Sequence, residues 1–359
     1  MYIIYDGFYL KHDTGHGHPE NSGRLSSIMK ALGNFKYRKN LKFKSPFEAD
    51  NEMLNLVHDS KYIKNIEKLS AQGGFHQIDP DTVVSEDTFR SAKLASGGCL
   101  KGIDLLFSER DPIFFAIIRP PGHHAFSDHG SGFCIFNNIS LAAKYAIEKY
   151  NIKKIAIIDF DVHHGNGTQS IFYKSSEVLY ISIHQYPLYP GSGWYDEKGK
   201  SQGSGFNLNI PVVPGSGEND YFIAFIEIIF PLITNYDPEL ILVSAGYDAH
   251  RDDPLASINL TEDSYYKIMS IIMYMSIAGT QNNPGKKRVK TGIILEGGYN
   301  HKATALSVLS TITACMEAER LASNRVTVGL NKLIDDFPIS RVLAGNRDIF
   351  EIIKRNAKI

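Results

Sequence analysis

Residues 155–167, IAIIDFDVHHGNG, decide the fold, because they join an apolar strand directly to a run of polar side chains. The first four residues, 155–158, form a short apolar block that is typical of a buried strand in a parallel sheet. Residues two apart in an extended chain point the same way. Asp159, Asp161 and His163 are therefore predicted to line one side of the strand end.

The chemistry of these side chains predicts a metal site. Carboxylate and imidazole groups that face a common point suit zinc or another divalent transition metal. The alternative is a polar turn after a core strand, in which the acids are solvated and the histidines have no function. The stretch alone leaves both interpretations open.

Composition and charge narrow the class of protein. The chain has 359 residues, 43% hydrophobic and 21% charged, which suits one α/β domain spanning residues 1–359. Its net charge of −1 argues against broad binding to nucleic acid or to an anionic membrane. The basic cluster is predicted to be a solvated loop, and it consists of Lys286, Lys287, Arg288 and Lys290.

The sequence also predicts a cytoplasmic location. The three cysteines are Cys99, Cys134 and Cys315. Their odd number and wide spacing argue against a disulfide framework and suit a reducing compartment. Asp6 interrupts the apolar N-terminus, so no signal segment is predicted. The most apolar predicted helix, 221–233, contains Glu227 and Pro231 and is too short to cross a bilayer.

Short β-branched runs alternate with longer helical patterns, which predicts a parallel sheet covered by helices on both faces. The predicted strands are 2–5, 113–118, 155–158, 178–183, 240–243 and 292–295. The predicted helices are 24–32, 51–69, 88–107, 139–150, 220–233, 264–277 and 303–318, with Thr261 as a cap. Residues 75–85 and 184–219 are predicted to be irregular, and the second stretch is longer than an ordinary connection.

Five predicted strands run into loops rich in His, Asp and Tyr, at the sheet edge where parallel sheets bind ligands. These loops begin with RPPGHHA, DFDVHHG, HQYPLYPGSG, SAGYDAHRDDP and EGGYN. Asp161, His163 and Asp248 would supply three protein ligands and leave a fourth position for water or substrate, as in catalytic zinc sites. Asp248 has a competing interpretation as a turn or capping residue.

Other residues in these loops suit amide chemistry. One ring of the His123–His124 pair could be a general base, although a core histidine beside an exposed one is the ordinary interpretation. Tyr299 follows two glycines on a predicted flexible hinge and could donate a hydrogen bond to an oxyanion, or simply pack. Gly132 would bring the backbone close to a ligand, with Phe133 as an aromatic wall or a core residue.

Six motifs of the chain resemble those of the zinc-dependent histone deacetylase superfamily. In chain order they are RPPGHHA, GFCIFNN, DFDVHHGNGT, SAGYDAH, DPL and EGGY. The resemblance runs from HPENSGR at residues 18–24 to about Tyr299, and it is nearer to the class II and acetylpolyamine amidohydrolase branches. It implies the arginase–deacetylase α/β fold, with a parallel sheet of about eight strands flanked by helices.

The resemblance also implies roles for individual residues. It implies one Zn²⁺ per chain, held by Asp161, His163 and Asp248. His124 would be the general base and acid, His123 its electrostatic partner and Tyr299 the residue that polarises the amide carbonyl. The implied substrate-binding residues are Gly132, Phe133, Tyr189, Leu255, Asp81 and Arg24. Asp159 and Ser182 would hold a structural K⁺, and Asp159 would also orient His123.

Two positions depart from better-known members of the superfamily. Asn166 stands where class I enzymes have an aspartate behind the second histidine, so His124 is expected to be less basic here. Leu255 stands where a polyamine-selective relative has a glutamate, so a long cationic polyamine would lose its selective partner.

The expected function is therefore hydrolysis of the amide of acetyl-lysine or a similar acylated linear amine. An acetylpolyamine amidohydrolase, a two-metal ureohydrolase and a non-catalytic acyl-amine binding module are the alternatives. Asp248-Ala-His250 superficially resembles a manganese motif, but a second metal needs further bridging carboxylates. The sequence predicts no nucleic-acid or membrane partner and specifies no oligomeric state.

Overall fold

Eight parallel strands form the central sheet of the protein, for which a computed structural model describes residues 1–109, 111–282, 288–323 and 342–357. The strands are β1 (Tyr2–Ile4), β2 (Lys42–Lys44), β5 (Ile113–Ala116), β6 (Ile155–Asp159), β7 (Val178–Gln185), β8 (Asn207–Val212), β9 (Leu240–Ala245) and β10 (Lys290–Leu295). Their order is β2-β1-β5-β10-β9-β6-β7-β8. The predicted α/β class and parallel sheet are thus confirmed.

Helices cover the sheet and enclose its apolar strands. They are α1 (Gly23–Gly33), α2 (Asn51–Leu54), α3 (Ser60–Gln72), α4 (Thr88–Ser108), α5 (Asn138–Tyr150), α6 (Asn166–Phe172), α7 (Glu218–Ile223), α8 (Phe230–Tyr236), α9 (Glu262–Asn282), α10 (His301–Ser323) and α11 (Ala344–Ala357). Every residue of β5, β6, β7 and β9 is buried, whereas the edge strand β2 is partly exposed. Burial on both faces explains why the central strands are continuous apolar runs.

The register of the strands brings four polar loops to one edge of the sheet. Asp159, the last residue of β6, lies beside Ser182 of β7 and Ser244 of β9. Leu295, the last residue of β10, lies beside Ala245. The loops that follow these strands therefore begin side by side at this edge of the sheet.

The predicted helix 51–69 is wrong in its middle, where α2 ends at Leu54 and α3 begins at Ser60. The intervening chain bonds to the loop before α5 instead. His58 Nε2 accepts the N–H of Asn137 over 2.9 Å, and Asp59 donates its N–H to the carbonyl of Ser127 over 2.8 Å. The N–H of Asp59 thus bonds outside the helix, and the His58 ring ties the break to the chain before α5.

Two stretches predicted to be irregular contain strands. The 75–85 stretch forms an antiparallel hairpin of β3 (His76–Asp79) and β4 (Thr82–Val84). The 184–219 stretch contains β8, an edge strand whose Asn207, Asn209 and Pro211 conceal its extended pattern. Helices α6 and α11 were not predicted.

Thr261 behaves as predicted at the start of α9, where Ser264 donates its N–H to the Thr261 hydroxyl over 3.4 Å.

In the basic cluster, Lys286 and Lys287 lie outside the described residues. Within those residues, no helix has both the length and the apolar character that crossing a membrane requires.

Candidate active site

Asp161, His163 and Asp248 come together in the loops that follow β6 and β9. The Nδ1 atom of His163 lies 3.2 Å from Oδ1 of Asp161 and 3.1 Å from Oδ2 of Asp248. One ligand atom from each residue lies within 4.8 Å of the other two, and all three residues are buried. In the described part of the chain, this is the one group of three or more His, Cys, Asp or Glu that could hold a metal ion.

The electrostatics of this trio suit a divalent cation. Burial lowers the pKa of His163, but hydrogen bonds to Asp161 and Asp248, and their charges, raise it to about 10. A buried nitrogen between two carboxylates lies in a field that strongly favours positive charge. One imidazole and two carboxylates are also donors that zinc accepts, so the residues fit the ion.

Two glycines allow the backbone to approach the trio. A Cβ atom on Gly246 would lie 2.0 Å from Oδ2 of Asp161, and one on Gly297 would lie 2.1 Å from Oδ2 of Asp248. Gly297 donates its N–H to Oδ2 of Asp161 over 2.8 Å, and Val162 donates its N–H to Oδ1 of Asp248 over 2.9 Å. Each carboxylate is therefore held by a backbone amide as well as by His163.

The predicted alternation along the strand is wrong beyond Asp159, because β6 ends there. Asp161 donates its N–H to Oδ1 of Asp159 over 3.2 Å, and His163 donates its N–H to Oδ1 of Asp161 over 2.9 Å. These are turn contacts between residues two apart, not strand contacts. The turn leaves the other oxygen of Asp159 facing His123 and Tyr180, at 3.1 Å from each.

The neighbouring histidines His123 and His124 occupy opposite electrostatic environments, although their ring centres are 4.0 Å apart. Burial lowers the pKa of His123, but the charges of Asp161 and Asp159 raise it to about 10. Burial and the charge of His123 lower the pKa of His124 well below its ordinary value. His124 Nδ1 lies 2.8 Å from Oδ1 of the neutral Asn166, and this hydrogen bond raises the pKa. Burial and the charge of His123 outweigh it, so the ring is uncharged and able to accept a proton.

A cavity of about 220 Å³, here called the channel, reaches the trio at His163. It is lined by Asp81, His124, Gly132, Phe133, His163, Leu188, Tyr189, Leu255 and Tyr299. Five of the six predicted substrate-binding residues therefore line it. Leu188 was not predicted, because a lone Leu in a loop carries no chemical signal.

Aromatic rings form two sides of the channel. The rings of Phe133 and Tyr299 meet edge-to-face, with 5.6 Å between ring centres. The Tyr189 ring lies 5.1 Å from that of His124 and is 40% exposed. Gly132 has a φ of +54°, and a Cβ there would lie 2.5 Å from the ring of His124, so glycine permits this close approach.

The Tyr299 phenol is half-buried at the channel. Burial and the charge of Asp248 raise its pKa well above 10, so the hydroxyl remains a hydrogen-bond donor at neutral pH. At the predicted hinge, Oδ2 of Asp253 accepts the N–H of Tyr299 over 2.6 Å, so a hydrogen bond holds this turn. Asp253 was not predicted to have a role, and the aspartate of DPL was its only sequence signal.

Arg24, the sixth predicted substrate-binding residue, does not line the channel but lies fully buried behind Tyr299. It donates to the carbonyls of Gly298 and Glu296, over 2.6 and 2.5 Å, and to Oε1 of Glu20 over 2.9 Å. Its guanidinium carbon lies 5.0 Å from the centre of the Tyr299 ring. Arg24 therefore supports the turn that carries the phenol.

Glu296 is a buried carboxylate that sequence reasoning missed. Its Oε2 accepts the N–H groups of Gly122 and His123, over 2.7 and 3.1 Å, and its Oε1 accepts the Ser244 hydroxyl over 3.2 Å. Burial raises the pKa of Glu296 to about 7. The available sequence signal was that this acid, the first residue of EGGYN, directly follows an apolar strand.

Asp159 and Ser182, the predicted K⁺-binding residues, are neighbours across β6 and β7. The Ser182 hydroxyl lies 2.8 Å from Nδ1 of His184.

Elsewhere at this edge, His250 is directed to Glu262, with 3.2 Å between Nε2 and Oε2. The residue that suggested a second metal therefore contacts a surface acid and not the trio.

A histone deacetylase domain model matches residues 18–315 of the chain. The chain belongs to the histone deacetylase family. It is 38% identical over 301 residues to a probable deacetylase of Archaeoglobus fulgidus, covering 83% of this chain and 81% of that protein. It is 33% identical over 301 residues to a histone deacetylase-like amidohydrolase of Pseudomonas aeruginosa, covering 83% and 76%.

The fold comparison agrees with the family. The crystal structure of the HDA15 HD domain superimposes with a TM-score of 0.82 at 31% identity, covering 98% of each chain. The predicted family and fold are thus confirmed. As a member of this family, the protein is a hydrolase that acts on amide bonds.

Proposed function

We propose that this protein is a zinc-dependent deacylase that removes acetyl or another short acyl group from lysine or a similar linear amine. The observation that carries the proposal is the buried Asp161, His163 and Asp248 trio at the end of a narrow channel shared with His124 and Tyr299. Zinc held there would act as a Lewis acid and lower the pKa of a water molecule to about 7.

The protein's own residues divide the remaining work. His124, kept neutral by its surroundings, takes the proton of the attacking water and later returns it to the departing amine. Tyr299 donates a hydrogen bond to the oxygen on which negative charge develops. His123 stays protonated beside the carboxylates of Asp159 and Asp161 and stabilises that negative charge.

The channel favours a slender acylated amine. Phe133 and Tyr189 provide flat aromatic surfaces for a methylene chain, and Leu255 adds an apolar side chain. Asp81 contributes a carboxylate to the channel, where it suits a backbone N–H or an amine of the substrate. A structural K⁺ beside Asp159 and Ser182 belongs to the same proposal.

A fluorogenic acetyl-lysine peptide, assayed before and after chelation, tests the proposal. We expect turnover that a chelator abolishes and that one equivalent of zinc restores. Tyr299→Phe should lower kcat by about 10²–10³-fold without loss of zinc. Two metal ions per chain would favour a ureohydrolase, and zinc binding without turnover on any substrate would favour a binding module.

Substrate choice needs a panel, because the channel accommodates either kind of amine. Acetyl-lysine peptides, longer acyl-lysines and acetylated putrescine, spermidine and cadaverine should be compared by kcat/KM. Because Leu255 offers no carboxylate, we expect acyl-lysine to be preferred over acetylated spermidine. The reverse order would identify an acetylpolyamine amidohydrolase.

A further inference from the structure

The buried carboxylate of Asp253 joins two loops that line the channel. Its Oδ2 accepts the N–H groups of Tyr299 and Asn300, over 2.6 and 3.1 Å, and its Oδ1 accepts the N–H of Leu255 over 3.1 Å. Asp253 is 7% exposed. A second link runs the same way, because the side-chain amide of Asn300 donates to the carbonyl of Asp252 over 2.9 Å.

The Tyr299 turn needs such a link. Strand β10 ends at Leu295, so the sheet no longer restrains the chain at Tyr299. Gly298 has a φ of +113°, a backbone conformation that glycine adopts readily and that other residues rarely adopt. Arg24 holds the carbonyls of Gly298 and Glu296 in this turn, whereas the backbone N–H of Tyr299 itself is accepted by the carboxylate of Asp253.

The same carboxylate sets the position of the channel wall. Leu255 lines the channel, and its N–H is held by the oxygen opposite to the one that holds Tyr299. All three partners of Asp253 are N–H donors. A neutral amide in its place would turn an NH₂ group toward at least one of them and lose that contact.

We propose that Asp253 is a positioning residue, which holds the Tyr299 phenol and the Leu255 wall at a fixed separation across the channel. The inference rests on the proposed deacylase function, in which Tyr299 hydrogen-bonds the developing oxyanion. Asp253 itself does not line the channel, so it acts through the backbone of its neighbours. Its loss therefore displaces the phenol without removing it.

The test is a double-mutant cycle with Asp253→Asn, Tyr299→Phe and the double variant, assayed on the acetyl-lysine peptide. We expect Asp253→Asn to lower kcat by about 10–100-fold with zinc content unchanged, because displacement of about 1 Å can cost 10²-fold. In the Tyr299→Phe background the same change should cost less than about 3-fold, because the hydroxyl that it positions is gone.

Asp252→Asn is the matched control. It removes the neighbouring carboxylate, whose side chain is 60% exposed, and should leave kcat and KM unchanged. If Asp253→Asn does not fold, Asp253→Glu replaces it in the cycle, since it keeps all acceptors but moves them by one methylene. Equal losses of kcat in both Tyr299 backgrounds, or loss of zinc, would overturn the positioning role.

The results also separate the inference from the proposed function. An inactive wild-type protein with bound zinc would remove both. An active wild-type protein that is impaired by Tyr299→Phe but unaffected by Asp253→Asn would remove only the inference.

Discussion

At the floor of the channel, each of Asp161, Asp248 and His124 has a partner within 3.2 Å, whereas the mouth presents side chains that are half-buried or exposed. Tyr189 is 40% exposed there, and Asp81, in the turn between β3 and β4, is half-buried. Burial makes electrostatic and hydrogen-bond contacts stronger at the floor. The floor is therefore expected to set the chemistry, and the mouth to set which amines reach it.

The largest effect should come from the floor. Asp248→Ala removes one of two carboxylates around His163, so zinc should be lost and kcat/KM should fall by at least about 10³-fold. Metal analysis and the peptide assay measure both. Asp252→Ala, in the same loop but exposed, is the control, and zinc retention by Asp248→Ala would contradict the assignment of this ligand.

Substitutions of Glu296 test whether a buried side chain outside the channel affects kcat as strongly as the side chains that line it. Glu296→Ala should lower kcat by about 10–100-fold, because the backbone of Gly122 and His123 loses its acceptor. Glu296→Gln should stay within about 5-fold of wild type, since its carbonyl can accept the same N–H groups and its amide can donate to Ser244. Similar losses in both variants would show that the charge of Glu296, and not its acceptor oxygens, is required.

Asn166→Asp should change the pH dependence more than the maximum rate. A carboxylate 2.8 Å from His124 would stabilise the protonated ring and raise its pKa. Because the base must be neutral to accept a proton, the acidic limb of the kcat/KM profile should move to higher pH by about one unit. An unchanged limb would show that another group governs it.

The smallest effect is expected at the mouth. Tyr189→Ala removes one aromatic side of the channel, so KM for the acetyl-lysine peptide should rise by about 3–10-fold, with kcat within about 3-fold. Tyr189→Phe keeps the ring and should behave as wild type. A large fall in kcat for Tyr189→Ala would mean that this ring also orders the floor through its contact with His124.

Sequence patterns anticipated six strands of the sheet, the family and five residues of the channel wall, because each has a local or motif-level signature. They missed the edge strands β2 and β8, which polar residues and, in β8, a proline conceal. They also missed the break between α2 and α3, where His58 bonds to Asn137, 79 residues away. Arg24 was predicted to contact substrate, but its partners place it behind the Tyr299 turn.

The amino acids alone therefore specify which chemical groups the strand ends carry and the family to which they belong, since period, composition and motif order are properties of the chain. Only the folded structure decides which groups are held and which remain exposed. Asp253 is tied to Tyr299 across 46 residues, and Glu296 to Gly122 across 174. Such hydrogen bonds exist only after the sheet has aligned its strand ends, so no local sequence pattern predicts them.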